Sequence, residues 1–332
     1  MILVTGGTGL VGAHLLLHLA ENENFLRAIY RTEPSIAKTK ALFARYQKEV
    51  LFSKIEWIQA DIIDVPSLAN AFKDVDYVYH CAGLISYDPS DEQRLRKTNI
   101  EGTANIVTFC LDYKIKKLCH VSSIAALGEK TPYQLEVTEE SEWNPEVLHS
   151  DYAISKYGAE MEIWRGQQEG LNVVVVNPGI IFGAGFWEQG SGTFFSKTKK
   201  GFPFYTKGIS AFIGVTDVVK AMIALMQSTI VGERFALISE NLSFAEVLFS
   251  IADKLQVKKP QLEAKPWLLA IVWRLDWLIS TFFRTPRKLS KFGVNALFAK
   301  DLISNQKIKR TLNFEFQSID TVLVDTITLQ EK

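Results

Sequence analysis

The sequence predicts an α/β fold, a doubly wound parallel sheet with a smaller, discontinuous C-terminal substrate lobe. Three observations carry this. Short apolar runs alternate with amphipathic stretches through the first half of the chain. A glycine-rich turn, Gly6-Gly7-Thr8-Gly9, joins the first run to the first helical stretch. The run Val173–Val176 is apolar without alternation, which suits a strand covered on both faces.

Taken in order, the expected strands are Ile2–Thr5, Phe25–Tyr30, Ile55–Gln59, Tyr77–Cys81, Lys117–Ser122 and Asn172–Val176. The expected helices between them are Leu10–Ala20, Pro66–Phe72, Asp91–Tyr113 and Tyr152–Gln168. From Gly179 to Gly208 the chain is rich in Gly, Phe, Lys and Ser with weak periodicity, the texture of substrate-side loops. Asp217–Gln227 then reads as a helix and Arg234–Ser239 as a strand that returns to the main sheet. Ser243 followed by Glu246 is a capping box, opening a helix through Leu255, and two or three more helices are expected up to about residue 312. The dinucleotide-binding part is thus 1–178 with 215–239 returning to it, and the substrate lobe is 179–214 with 240–332.

With 332 residues the chain accommodates one large domain or a domain with a lobe. Hydrophobic residues make up 47% and charged residues 22%, the balance of a soluble globular protein. Lys+Arg and Asp+Glu each total 37, so no global basic field draws nucleic acid. Cys81, Cys110 and Cys119 are odd in number and lack CxxC spacing, which argues against a disulfide framework and against zinc. His14 and His18 share a helical face without an acidic third ligand, and no HExxH pattern occurs, so no metal is expected. No secretory segment precedes the strand opening at Ile2, which makes the cytoplasm the expected compartment.

Gly6, Gly9 and Gly12 stand three apart at the junction of strand and helix. Glycine allows a sharp turn and a close approach of backbone to a pyrophosphate, and the helix start adds free N–H groups. Gly12 lets the helix pack close to the first strand. The spacing is GxxGxxG rather than GxGxxG, but its place in the pattern favours a dinucleotide site over a purely structural turn. The second strand ends Tyr30-Arg31, with no acid before Glu33. An acid there would accept from a ribose 2′-hydroxyl, whereas an arginine fork pairs with a 2′-phosphate. The expected cofactor is therefore NADP(H), with NAD(H) the alternative and a solvated surface arginine the bland reading. Asp61, with Ile62 beside it, is a candidate for the adenine end or else a turn carboxylate, and Asp64 competes as a helix cap.

Tyr152 and Lys156 stand at i and i+4, so on a helix their side chains leave one face a turn apart. An ammonium beside a phenol stabilises the phenolate and lowers its pKa from the ordinary ~10. Tyr152 is then a candidate general acid/base for a carbonyl–alcohol pair. A Tyr/Lys pair alone is commonly structural; the glycine turn upstream and the strand end Val121-Ser122-Ser123 give it weight.

Together these residues resemble the extended short-chain dehydrogenase/reductases, also called the NAD-dependent epimerase/dehydratase family, most strongly over residues 1–180. Thr5, Gly6, Gly9, Leu10, Val11 and Gly12 lie in a stretch similar to the family's TGxxGxxG, and Tyr152 with Lys156 is similar to its YxxxK. Ser122 and Ser123 fall on the strand that carries the family's catalytic Ser or Thr, and Ser123 aligns with that position. Asn99 matches a family asparagine on the long fourth helix. Cys81-Ala82-Gly83 matches a turn passing the cofactor, and Asn177-Pro178-Gly179 the segment beside the nicotinamide. The resemblance implies a Rossmann sheet and these roles. Lys156 binds the nicotinamide ribose and tunes Tyr152; Tyr152 exchanges the proton with the substrate oxygen; Ser123 orients that oxygen; Asn99 holds a water or the local helix geometry.

Within the family, a dehydratase would carry acidic residues just after the catalytic Ser/Thr, but here Ser123 is followed by Ile124-Ala125-Ala126. An epimerase retains NAD and needs cations for a substrate diphosphate; Arg31 speaks against the first, while Lys197, Lys199, Lys200 and Lys207 are candidates for the second. The stretch from Val176 to Gly183 looks more like the dihydroflavonol reductase and 3β-hydroxysteroid dehydrogenase branches. The expected activity is an NADP(H)-dependent interconversion of carbonyl and alcohol on a small, apolar or aromatic substrate. The alternatives are a nucleotide-sugar epimerase using bound NAD and a non-catalytic cofactor-binding regulator, which would be expected to lose Tyr152 or Lys156. Aromatic rings crowd the stretch from Phe182 to Phe212, with Phe186 and Trp187 the expected pocket residues and most others core.

Pro266 to Phe283 is apolar around most of a helical circumference, apart from Arg274, Asp276, Ser280 and Thr281. It falls short of a clean membrane span. A buried helix roofing the pocket is the favoured reading. Contact with a second copy of the chain and peripheral membrane contact are the others, the latter helped by Arg284, Arg287, Lys288 and Lys291.

Overall fold

Strands that are apolar on both faces are satisfied only between two helical layers. The computed structural model, which describes residues 1–283 and 291–331, has that arrangement. The first half forms β1 (Ile2–Thr5), α1 (Leu10–Asn22), β2 (Leu26–Tyr30), α2 (Ile36–Arg45), β3 (Ile55–Gln59), α3 (Val65–Ala71), β4 (Tyr77–His80), α4 (Glu92–Leu95), α5 (Gly102–Asp112), β5 (Lys117–Val121), β6 (Glu136–Val137), α6 (Asp151–Gln168) and β7 (Val173–Pro178). The rest forms β8 (Ile180–Phe182), α7 (Thr193–Lys199), β9 (Phe204–Tyr205), β10 (Ile209–Gly214), α8 (Val215–Gln227), β11 (Glu233–Leu237), β12 (Glu240–Ser243), α9 (Phe244–Lys254), β13 (Leu262–Glu263), α10 (Pro266–Phe283), α11 (Lys291–Ala296), β14 (Leu302–Ile303), α12 (Gln306–Leu312) and α13 (Ile319–Glu331).

Seven strands make the main sheet in the order β11-β7-β5-β4-β1-β2-β3, every neighbouring pair parallel. Val174 and Val176 join one buried cluster with Leu15, Leu16 and Leu19 of α1 and Val218, Met222 and Leu225 of α8. Val173 and Val175 join the other, with Leu68 of α3, Ile106 of α5 and Ile163 of α6. The unbroken valine run thus alternates between two cores. Beyond β7 a smaller sheet, β12-β10-β8, backs a third core in which Phe182 stacks on Phe212 at 5.5 Å and meets Phe195 edge-on at 5.3 Å. The capping box at Ser243 and Glu246 forms as expected and starts α9.

Several expectations are corrected. A helix, α2, stands between β2 and β3 where none was expected, burying Thr39, Leu42 and Phe43. The helix expected over Asp91–Tyr113 is broken: Arg96–Glu101 winds as a wide π-helical turn between α4 and α5, and this turn buries Asn99. The stretch expected as loops holds β8, α7 and β9. Past residue 312, α13 completes the third core with Ile319, Val322, Leu323 and Ile327; their i, i+3, i+4, i+8 spacing is the signal in the sequence that identifies such a helix. The largest correction concerns α10. It was expected to be buried, but Trp267 is 63% exposed and Phe282 80%. Arg284, Arg287 and Lys288 of its basic flank lie outside the described residues, and Lys291 opens α11. Among the described residues no helix is long and apolar enough to cross a membrane.

The ring of Phe182 is the hub of the third core, so Phe182→Ala should cost about 3–5 kcal/mol in urea denaturation. A loss under about 1 kcal/mol would mean that the smaller sheet does not unfold together with the main one.

Candidate active site

The strand order reverses at β1, so a crevice opens beyond the carboxyl ends of β1 and β4. Gly6 there has a φ of +68°, and a Cβ on it would stand 2.6 Å from the Ala82 nitrogen. A Cβ on Gly12 would stand 2.2 Å from the Gly6 carbonyl oxygen. Gly9 caps α1 without a side-chain bond, and a Cβ on it would meet nothing closer than the Gly6 oxygen at 3.4 Å. The first N–H to bond back is that of Ala13, to the Gly9 oxygen at 2.9 Å. Among the described residues those of Leu10, Val11 and Gly12 have no backbone partner, as at any helix start, and are left for a ligand. An open glycine face beside three unpaired N–H groups fits a dinucleotide pyrophosphate.

Thr5 ties the two sides of the crevice together. Its hydroxyl bonds His80 Nδ1 at 2.7 Å and accepts from the Ala82 N–H at 3.2 Å. His80 Nε2 bonds the Thr103 hydroxyl at 3.0 Å, and that hydroxyl donates to the Asn99 carbonyl at 2.5 Å. Burial, reinforced by the nearby Lys156 charge, lowers His80 to about 3, so the ring is neutral. The Asn99 side chain accepts from the Leu84 N–H at 2.7 Å and donates to the Leu84 carbonyl and the Ser155 hydroxyl, both at 2.9 Å. It clamps the Cys81-Ala82-Gly83 turn onto α6.

Ser150 caps α6, accepting from the Ala153 N–H at 3.1 Å, and so sets the helical phase that buries both Tyr152 and Lys156. Lys156 Nζ donates to the Val121 carbonyl at 2.8 Å and lies 3.8 Å from where a Gly83 Cβ would stand. Burial pulls Lys156 down to about 8, with Glu160 and Cys81 opposing. Burial and then the neighbouring Tyr87 hold the Tyr152 phenol above its ordinary range, although the nearby Ser123 hydroxyl pulls the other way. The expected lowering of Tyr152 by Lys156 is therefore corrected: burial of the phenol outweighs it, and one of the ammonium's three donors is taken by the Val121 carbonyl. Ser123 also caps the short apolar turn Ile124–Ala126, accepting from the Ala125 N–H at 3.2 Å.

Behind this group stands a network that no motif indicated. Glu160, one turn beyond Lys156 and fully buried, accepts from Asn177 Nδ2 at 2.5 Å and from Arg234 at 3.3 Å. Asn177 also donates to the Ser123 carbonyl at 3.0 Å, and Arg234 to the Glu139 carbonyl at 2.6 Å. Burial pushes the Glu160 carboxyl up, and Arg234 and Asn177 hold it down. Its signal in the sequence is the i, i+4, i+8 spacing of Tyr152, Lys156 and Glu160.

At the far end of the crevice Arg31 is exposed just past β2, and among the described residues no carboxylate pairs with it. The Asp61 carboxylate accepts from the Ile63 N–H at 3.2 Å, the turn role weighed for it, and the Ile62 carbonyl accepts from Asn105 at 2.8 Å. Asp64 stands at the cap of α3 but makes no side-chain bond, so the capping expected of it is absent. Ser122 is buried past the end of β5, its N–H bonded to the Val176 carbonyl at 2.8 Å. Pro178 ends β7, and a Cβ on Gly179 would stand 2.3 Å from the Ala211 oxygen. Burial raises the Cys81 thiol well above its ordinary range.

A small cleft at Tyr152 is lined by Ser86, Tyr87, Pro89, Ser150, Asp151 and Phe292. Phe186 and Trp187 line a different cavity, beside Lys38, Lys199 and Lys200, and the two share no residue. These two residues line a cavity, as expected of pocket residues, but one apart from Tyr152; Phe186 also packs with Ala13 and Leu42, and Trp187 stacks on Phe195 at 5.0 Å. The rings beside Tyr152 are Tyr87 and Phe292.

The model of the NAD dependent epimerase/dehydratase family matches residues 2–237. The chain is 26% identical over 301 residues to sterol demethylase protein B of Methylococcus capsulatus, covering 89% of this chain and 86% of that one. It is 27% identical over 272 residues to tetraketide alpha-pyrone reductase 2 of Arabidopsis thaliana, covering 76% and 82%. Relatives also include a dihydroflavonol 4-reductase and a 3beta-hydroxysteroid-dehydrogenase/decarboxylase. The crystal structure of gox2253 superposes with a TM-score of 0.81 at 24% identity, covering 100% of this chain and 98% of that one, which shows the same fold. The chain therefore belongs to the NAD-dependent epimerase/dehydratase family and is an NAD(P)-dependent oxidoreductase of the extended short-chain dehydrogenase/reductase type.

Proposed function

We propose that the chain is an NADP(H)-dependent reductase that interconverts a carbonyl and an alcohol on a small, apolar or aromatic substrate. The observation that carries this is the buried Tyr152 beside a cleft ringed by Tyr87 and Phe292, with Lys156 a helical turn away and the turn that Ser123 caps packed on the same helix. Burial keeps the proton on Tyr152, so the residue meets a carbonyl oxygen as an acid. Ser123 orients that oxygen. The Lys156 ammonium holds the cofactor ribose and supports the phenolate left after proton transfer. Asn99 is a positioning residue.

Thr5, Gly6, Gly9, Leu10, Val11 and Gly12 would cradle the pyrophosphate, with Asp61 and Ile62 at the adenine and Arg31 at a 2′-phosphate. Cys81, Ala82, Gly83, Ser122, Pro178 and Gly179 would line the path to the nicotinamide. A bound nicotinamide cofactor supplies or accepts the hydride. In the same proposal, residues 1–178 with 215–239 hold the cofactor, and 179–214 with 240–332 enclose the substrate. The names of relatives, among them a pyrone reductase and a sterol enzyme, support an apolar or aromatic substrate. Dehydration finds no acid in the turn after Ser123. The epimerase reading is weakened because Lys207 pairs with Glu263 at 2.8 Å, Lys197 lies over the Phe202 ring, and Lys199 and Lys200 line the cavity at Phe186 rather than the cleft at Tyr152. A non-catalytic regulator has no use for a Tyr152 held at a cleft with Lys156 a turn away.

Tyr152→Phe should retain cofactor binding and lose about 10²–10⁴ in turnover against a panel of ketones and aldehydes with NADPH. Activity within tenfold of the parent sinks the assignment. Fluorescence titration should give tighter binding of NADPH than of NADH, and Arg31→Asp should reverse the order; equal affinities in the parent remove Arg31 from the site. The pH dependence follows from Lys156, which is charged below about 8 and neutral above it, while Tyr152 keeps its proton throughout this range. Reductive kcat/KM should fall as pH rises through about 8. A profile that stays flat across that pH contradicts the role given to Lys156.

A further inference from the structure

We infer that α10 is a membrane-docking helix that seats the mouth of the Tyr152 cleft against an anionic lipid surface. Trp267, Ile271, Leu275, Leu278 and Phe282 recur at intervals of four, four, three and four residues, which places them on one helical stripe. All five are exposed, from 42% at Leu278 to 80% at Phe282. Soluble monomers rarely leave so continuous an apolar strip in water. The helix is about 27 Å long, but Arg274 and Asp276 interrupt it, so it suits lying on a bilayer rather than crossing one.

Charge selects the occupant. Lys265 precedes the helix, Arg274 lies 4.7 Å over the Trp273 ring, and Lys291 follows. The intervening sequence adds Arg284, Arg287 and Lys288, and Asp276 is the one acid between Ala264 and Lys291. Cations beside an apolar stripe complement anionic headgroups above acyl chains. A second copy of the chain fits worse, because packing α10 on α10 sets these like charges against each other. α11 packs against α10, and its Phe292 lines the cleft at Tyr152. Docking therefore brings that cleft to the lipid boundary, where an apolar substrate concentrates. The supply of substrate from the bilayer rests on the reductase reading above; the docking does not.

The test is flotation of the full chain with vesicles of phosphatidylcholine and phosphatidylserine, against phosphatidylcholine alone, at low and physiological salt. The protein should rise with the anionic vesicles at least about tenfold more than with the neutral ones, and less as salt increases. The double variant Leu275→Glu with Leu278→Glu should keep its melting temperature and its binding of NADPH but lose flotation. Phe282→Glu is a second variant, should the pair disturb folding. Failure of the parent to float at either salt overturns the docking, and so does flotation retained by both variants. A parent that does not float but is dimeric by light scattering, and becomes monomeric in the double variant, assigns the face to a second copy instead. Flotation without faster turnover of an apolar ketone presented in vesicles upholds the docking and removes only the supply of substrate.

Discussion

The site depends on one buried relay, from Thr5 through His80 and Thr103 to Asn99. A parallel sheet fixes its strands in register, with Thr5 opposite His80, but leaves the turns beyond their ends unconstrained. The relay removes that freedom. The Thr103 hydroxyl donates to Asn99, so it must accept from His80 Nε2, which places the ring proton there. Nδ1 is then an acceptor, and the Thr5 hydroxyl donates to it while accepting from Ala82. Only this tautomer satisfies every partner. Each such bond contributes about 1 kcal/mol net, and leaving one partner unpaired costs about 1–3 kcal/mol, so the relay is hard to distort piecemeal. Its effect is to hold the glycine turn and the turn after β4 at a set distance from α6, and so from Tyr152 and Lys156.

The same enclosure creates an electrostatic problem, because it buries an ammonium. Lys156 is offset by the Val121 carbonyl and by Glu160, and Glu160 in turn by Arg234 and Asn177. Buried charges held in this way are costly to break singly, since removal of one leaves another uncompensated. His80 and His120, with ring centroids 5.0 Å apart, are both pushed to the neutral form by burial and then by the Lys156 charge. The positive charge of this region is thus confined to the residue that can present it to a ligand. Arg234 lies on β11, at the outer edge of the sheet, and Asn177 on β7, so the late strand is tied chemically to the helix bearing the Tyr/Lys pair.

Much of this was legible in the sequence because the signals are local. Every expected strand of the main sheet falls within a residue or two of its place, since two-sided burial demands apolar runs. Gly6 and Gly12 were legible because no other residue fits a contact of 2.6 or 2.2 Å to backbone. The rest lies in contacts between residues distant in sequence. Tyr87 and Phe292 line the cleft from stretches with no motif of their own, and Phe186 lines a separate cavity while packing between α1 and α2. Asn99 stands out in the sequence only by resemblance, and its clamp depends on a π-helical turn that propensity does not reveal. The raised Tyr152 phenol is not legible for a related reason: spacing on a helix reports which side chains share a face, not how deeply the fold buries them.

The exposure of α10 follows from how the cores are filled. The first two are completed by helices of the main sheet, and the third by α9 and by α13, which arrives from the far end of the chain. Among the described residues none of α10 belongs to a buried cluster. Among the described residues the cores are therefore complete without this helix, and they give no reason for its apolar stripe. Leaving Trp267, Leu275 and Phe282 in water forgoes the roughly 1.5–3 kcal/mol that burial of each large side chain would contribute. A surface that keeps such residues at that cost is balanced only if something apolar covers it. Its position beside α11 sets this exposed stripe next to the element whose Phe292 lines the cleft at Tyr152.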